Sequence, residues 1–138
     1  MKKIFLTLLL LLTTTNFLHA QTLNVDFKWM LKHQCSKSSP ELKVENIPKG
    51  TVEMRIQMID LDSRTFLHGG GYLRNEVGFP STFTIAEGAL QSYIGPCPPN
   101  FLSFGHDYEF FVVAVDKQNN EVRKGSKKKT FSAKEVKE

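Results

Sequence analysis

Five polar side chains in this sequence are of the types that hold small ligands. Asp60 and Asp62 stand in Asp60-Leu61-Asp62-Ser63, His68 opens His68-Gly69-Gly70-Gly71, and His106 and Tyr108 stand in His106-Asp107-Tyr108. Histidine and tyrosine donate hydrogen bonds to anionic oxygen. A nearby aspartate favours the charged imidazole and helps to orient its ring. Between these groups lies Gly95-Pro96-Cys97-Pro98-Pro99, a rigid loop. Each piece alone has a bland reading: aspartates end strands, glycines make turns, and a single histidine is usually structural. Their combination and order carry the argument.

Two other chemistries use the same residue types. Asp60, Asp62, His68, His106 and Cys97 are all metal-ligand types, but their spacing fits no standard site and pairing would remove Cys97. No metal and no cofactor is therefore expected. His68-Gly69-Gly70-Gly71 resembles the oxyanion loop of esterases, which also requires a glycine-x-serine-x-glycine elbow. The sequence has no such run, so the protein is not expected to be an enzyme.

The elements that must position these residues read as strands. Leu23, Val25, Phe27 and Trp29 alternate with polar residues, as do Val52, Met54, Ile56 and Met58. A short strand is expected in Glu41–Glu45 and another around Phe83 and Ile85. Ile47-Pro48-Lys49-Gly50 is a turn. Asp60–Gly71 reads as irregular, Tyr72–Pro80 is ambiguous, and Gly95–Gly105 is a loop. Tyr108–Val115 is nearly all apolar, which predicts a strand buried on both faces. Lys117-Gln118-Asn119-Asn120 is a turn, and a last strand is expected from Glu121 to about Phe131. No stretch has the spacing of a long amphipathic helix.

The N-terminus has its own logic. Lys2 and Lys3 precede the apolar run Ile4–Leu12, and a polar stretch ends in Leu18-His19-Ala20. This pattern predicts a signal peptide over residues 1–20, cut after Ala20, and a periplasmic or secreted protein. The run is far below the ~20 residues that cross a bilayer. One β-rich domain is expected over 21–138, with a basic C-terminal segment. The net charge of +4 falls to +2 without Lys2 and Lys3. Arg123, Lys124, Lys127, Lys128 and Lys129 cluster late without interleaved aromatics, so no nucleic-acid partner is expected. Peripheral contact with an anionic membrane remains open. Export and an even count favour a Cys35–Cys97 disulfide, with two buried thiols as the alternative.

The order of these pieces resembles the phosphatidylethanolamine-binding protein family, which includes the Raf kinase inhibitor proteins and short bacterial relatives. The residues that carry the resemblance begin with Cys35, Ser39-Pro40-Glu41-Leu42, Ile47-Pro48-Lys49-Gly50-Thr51 and Asp60-Leu61-Asp62. They continue through His68, Tyr93-Ile94-Gly95-Pro96-Cys97-Pro98-Pro99, His106-Asp107-Tyr108-Glu109-Phe110 and Ala114-Val115-Asp116. The resemblance implies a mostly β fold of antiparallel sheets, shortened at the C-terminus, with a small pocket at one end. It implies a non-enzymatic binder of a phosphate-like anion or phospholipid head group. Asp60, Asp62, His68, His106 and Tyr108 would line the pocket, and Pro96 and Pro98 would stiffen a wall. The sequence departs from the family at Asp60-Leu61-Asp62-Ser63, which lacks the usual prolines and alanine, and at Gly69-Gly70-Gly71. Two alternatives stand beside this reading. Tyr108–Lys117 with Asn119-Asn120 is also similar to a late strand and turn of a fibronectin type III or immunoglobulin-like sandwich, an interaction or adhesion module. A regulator that inhibits another protein is the other.

Overall fold

The computed structural model describes residues 21–136; the expected signal peptide lies outside them. The strands are β1 (Asn24–Phe27), β2 (Leu42–Glu45), β3 (Glu53–Asp60), β4 (Leu67–Arg74), β5 (Thr82–Ile85), β6 (Ser92–Tyr93), β7 (His106–Val115) and β8 (Glu121–Phe131). One turn of 3-10 helix, Leu31–His33, follows β1. Three strands form a small antiparallel sheet, β1-β2-β5, and five form a larger one, β6-β4-β3-β7-β8. Both sequence readings of the fold are mostly β, as is the chain.

The inner faces of the two sheets make the core. Phe27 of the small sheet meets Phe110 of the large one edge-on at 5.0 Å, and Trp29 meets Phe131 edge-on at 5.5 Å. Burying each such ring contributes roughly 1.5–3 kcal/mol. The expected first strand stops at Phe27, two residues early, yet Trp29 is buried as its alternation requires.

Two expectations need correction. Asp60–Gly71 is not irregular throughout, because β4 begins at Leu67 and runs through the glycines to Arg74. The β3–β4 register slips between Gln57 and Ile59, Gly69 has a φ of +73°, and a Cβ on Gly70 would lie 1.9 Å from the Ile56 carbonyl oxygen. The glycines serve a β-bulge, where a positive φ and close backbone approach exclude side chains. Likewise, Tyr108–Val115 is not buried on both faces. Tyr108, Phe110, Val112 and Ala114 point into the core, whereas Phe111 is 36 % exposed. The other side of the large sheet is open there, so β7 owes its apolar character to one face and to its central place in the sheet.

At the far end of β3 from the candidate site, buried Glu53 accepts 2.6 Å bonds from Arg55 and Arg74. The Arg55 bond, with that of Arg74, outweighs burial and holds the Glu53 carboxyl below its usual range. A depressed carboxyl stabilises the fold above its unfolded pKa, and that contribution is lost as pH falls through the folded pKa. Glu53→Gln is expected to cost about 1 kcal/mol at neutral pH, discounted because both arginines face solvent. Urea titrations of both proteins should converge as the medium is acidified below the ordinary carboxylate range.

Candidate functional site

The alternation that builds the core also builds the site. Met54, Ile56 and Met58 of β3 point inward, and period two continues that face to Asp60. Across the ladder Asp60 pairs with Tyr108, and His106 lies two residues before Tyr108 on the same strand. His68 enters from β4 and is buried. The apolar inner face of the large sheet thus ends in a cluster of aspartate, two histidines and a tyrosine.

Asp60 is the hub. Its Oδ1 accepts the backbone N–H groups of Asp62 and Ser63, both at 2.9 Å. This turn through an aspartate side chain ends β3. His106 donates from Nδ1 to Asp60 Oδ2 over 2.8 Å. Burial pushes the Asp60 carboxyl up, but the bonds from His106 and the two amides prevail and hold it below its usual value. His68 donates from Nδ1 to the Ile94 carbonyl at 2.8 Å, since a carbonyl can only accept. Its Nε2 therefore faces Asp60 Oδ2, 3.8 Å away. Tyr108 lies between the imidazoles, with ring centroids 5.3 Å from His68 and 6.3 Å from His106. Its hydroxyl is buried and has no hydrogen-bond partner among the described residues. Burial and then the Asp60 charge raise the phenol pKa.

Asp62 is exposed, and its Oδ2 accepts the Asp107 backbone N–H at 2.7 Å. Asp60, Asp62 and His106 each offer a ligand atom, and these atoms lie within 4.8 Å of one another. A recess of about 480 Å³ opens beside them, lined in part by Asp62, Asn100, Phe104, His106 and Thr130. A larger groove of about 760 Å³ lies between β1 and the β7–β8 ladder, but it gathers none of these groups. The chemistry places the candidate site at the smaller recess.

The structure brings Asp60, Asp62, His68, His106 and Tyr108 together, but of these only Asp62 and His106 line the recess; Asp60, His68 and Tyr108 are buried. Pro96 and Pro98 are buried in the β6–β7 loop and do not line the recess. Their loop acts one step away. Pro96 accepts the Cys35 N–H at 2.8 Å, Ser36 accepts the Gly95 N–H at 2.6 Å, and Cys35 is disulfide-bonded to Cys97. This clamp fixes Ile94, whose carbonyl orients His68. Sequence reasoning missed Ile94, because a backbone acceptor carries no residue-type signal. It also missed Asn100 and Thr130, whose types are common in loops and edge strands.

A sequence model of the phosphatidylethanolamine-binding proteins matches residues 13–137. The chain belongs to the phosphatidylethanolamine-binding protein family. No curated protein and no solved structure matches it. Membership decides between the two sandwich readings in favour of the phosphatidylethanolamine-binding protein fold. At the level of the family, it makes the protein a small-ligand-binding or regulatory one. The Cys35–Cys97 bond expected from the cysteine count is present, and no cysteine is free among the described residues.

Proposed function

We propose that this protein is an exported, non-enzymatic binder of a phosphate-like anion or a phospholipid head group. The observation that carries the reading is the convergence of His68, His106 and the unpartnered Tyr108 hydroxyl around Asp60. Charged imidazole and phenol donate to anionic oxygen, and Asp60 holds His106 in place for that task. A zwitterion such as phosphoethanolamine suits the site better than a bare anion, because its ammonium can face exposed Asp62. A hydrolase finds little support: Gly70 and Gly71 lie within the β4 ladder, not in a free oxyanion loop. The disulfide is consistent with an oxidising compartment after export.

His106→Ala is expected to weaken phosphoethanolamine binding by about 1.5–3 kcal/mol, the worth of one charge-assisted hydrogen bond. Calorimetric titration of wild type and variant, both shown to be folded, measures this. Equal affinities would remove His106 from the site. A second reading, regulation by docking on another protein, rests on exposed Phe66, Leu67, Ile94, Leu102 and Phe104. These residues belong to the β3–β4 and β6–β7 connections and to the start of β4, at the site end of the sheet. Retained phosphoethanolamine binding after Leu102→Ser would separate the recess from that apolar surface.

A further inference from the structure

His33 is a titratable side chain buried away from the recess. It ends the single turn of 3-10 helix and is 2 % exposed. Its Nδ1 accepts the Met30 backbone N–H at 3.0 Å, which closes the turn from within. An accepting Nδ1 places the ring proton on Nε2, so the folded chain holds a neutral imidazole. Nε2 faces Glu87 Oε2 across 3.5 Å and makes no hydrogen bond among the described residues. Trp29 packs edge-on against the same ring, with centroids 6.0 Å apart. The turn leads directly into the clamp. The His33 carbonyl accepts the Ser36 N–H at 3.3 Å, Cys35 and Ser36 hold Pro96 and Gly95, and Ile94 beside them orients His68.

We propose that His33 is a pH-operated latch: neutral, it closes the Met30–His33 turn; charged, it lets go of Met30, swings toward Glu87 and slackens the clamp that orients His68. Charging removes the Nδ1 lone pair, so the Met30 N–H and Nδ1–H become two donors facing each other. Burial disfavours an imidazolium that stays where the neutral ring stands. A groove of about 590 Å³ beside the ring gives it a way out. Three carboxylates face that groove: Asp26 from β1, Glu41 from the chain before β2, and Glu87 from the β5–β6 connection. Against them stand Lys28, Lys43 and Lys129, with Lys32 on the turn itself. Lys129 is paired with Asp26 at 2.8 Å, Lys43 with Glu45 at 2.6 Å and Lys32 with Glu87 at 2.8 Å. Glu87 is thus the acid nearest to the ring. Burial outweighs the bond and charge of Glu87 and lowers the His33 pKa. A histidine lowered in this way stabilises the fold above its unfolded pKa of about 6.5, and the contribution is lost as pH falls through the folded value.

The effect on ligand rests on the anion reading; the latch itself does not. The test takes the mature protein through the acid and neutral range, with circular dichroism to show that the sheets persist. Trp29 is the single tryptophan, so its emission reads the ring beside it. A reversible change in emission is expected, with a midpoint below the ordinary histidine value of about 6.5. Exchange of the Met30 amide, corrected for its intrinsic pH dependence, should quicken roughly tenfold across the same midpoint. His33→Gln offers Met30 an oxygen acceptor that cannot charge, so both changes should vanish. Glu87→Gln removes the carboxylate that favours the charged ring and should move the midpoint down by about half a unit, a small shift because Glu87 is exposed. Constant Trp29 emission and Met30 exchange in wild type would overturn the proposal, as would a transition that persists in His33→Gln. If His33→Gln does not fold, Glu87→Gln decides, and a midpoint that it leaves in place overturns the latch. Phosphoethanolamine is then titrated on both sides of the midpoint. Its affinity should fall roughly tenfold on the acid side in wild type and not in His33→Gln. Affinity unchanged across an intact transition would overturn the control of the site by His33. No binding at either pH, with the Trp29 and Met30 transitions intact, would uphold the latch and reject the anion reading.

Discussion

Reduction of the Cys35–Cys97 bond is expected to lower stability by about 4 kcal/mol, the entropic worth of a cross-link closing a loop of this length. The two cysteines are 62 residues apart in sequence and join the segment after the 3-10 helix to the β6–β7 loop. For a domain of this size, the melting temperature should fall by on the order of 15 °C. Paired Cys35→Ser and Cys97→Ser substitutions should reproduce the loss without a reductant. Both cysteines are exposed, so reductant reaches the bond in the folded protein. The effect should also reach the site. The clamp holds Gly95, which has no room for a side chain: a Cβ there would lie 2.4 Å from the His33 carbonyl oxygen. Ile94, the next residue, accepts from His68. Loosening the clamp frees His68 to turn, so the double variant should bind phosphoethanolamine more weakly even where it is fully folded. Melting curves with and without reductant, and titration well below the melting temperature, measure the two effects separately. An unchanged melting temperature would mean that the loop is held by its backbone bonds alone.

Strands whose faces differ were the most legible part of the fold. Val52–Met58 alternates cleanly because β3 has one face on the core and its other face open. The same alternation continues to Asp60, which the sequence reading placed in irregular chain and the structure makes the last inward residue of β3. The turn at Pro48 and the Lys117–Asn120 turn were readable from their chemistry. Legibility failed where partners are distant. The glycines of β4 looked irregular because a bulge is defined by pairing with β3, which one strand does not encode. The apolar run of β7 looked buried on both sides, but Phe111 faces outward beside open sheet. In the site, the aspartates, histidines and tyrosine were found, whereas the Ile94 carbonyl, Asn100 and Thr130 were not. Pro96 and Pro98 were found for the right loop, yet they support it from beneath and leave the recess to Asn100, Phe104 and Thr130.

Asp60→Ala is expected to be among the most damaging single substitutions in the polar part of this protein. The side chain is 3 % exposed and accepts three hydrogen bonds, two from the backbone that turns out of β3 and one from His106. Alanine leaves the Asp62 and Ser63 amides without that acceptor and deprives His106 of its partner. Removing one member of a buried charged pair typically costs ~3–5 kcal/mol, and two orphaned amides add to the loss where water cannot reach them. Asp60→Asn separates charge from shape. Its amide oxygen can still accept from the turn, so it should recover much of the stability, whereas His106 loses its ionic partner. The Asp60 carboxyl is held below its usual range, against burial, by His106 and the two amides. A depressed acid stabilises the fold above its unfolded pKa, and the benefit disappears as pH falls through the folded pKa. Wild type should therefore lose stability relative to Asp60→Asn as the medium becomes strongly acidic. Urea unfolding of the three proteins at neutral and acid pH gives the comparison. If Asp60→Asn is as unstable as Asp60→Ala at neutral pH, the charge rather than the turn holds this end of the sheet together. If all three are equally stable, Asp60 is not the hub that its contacts describe.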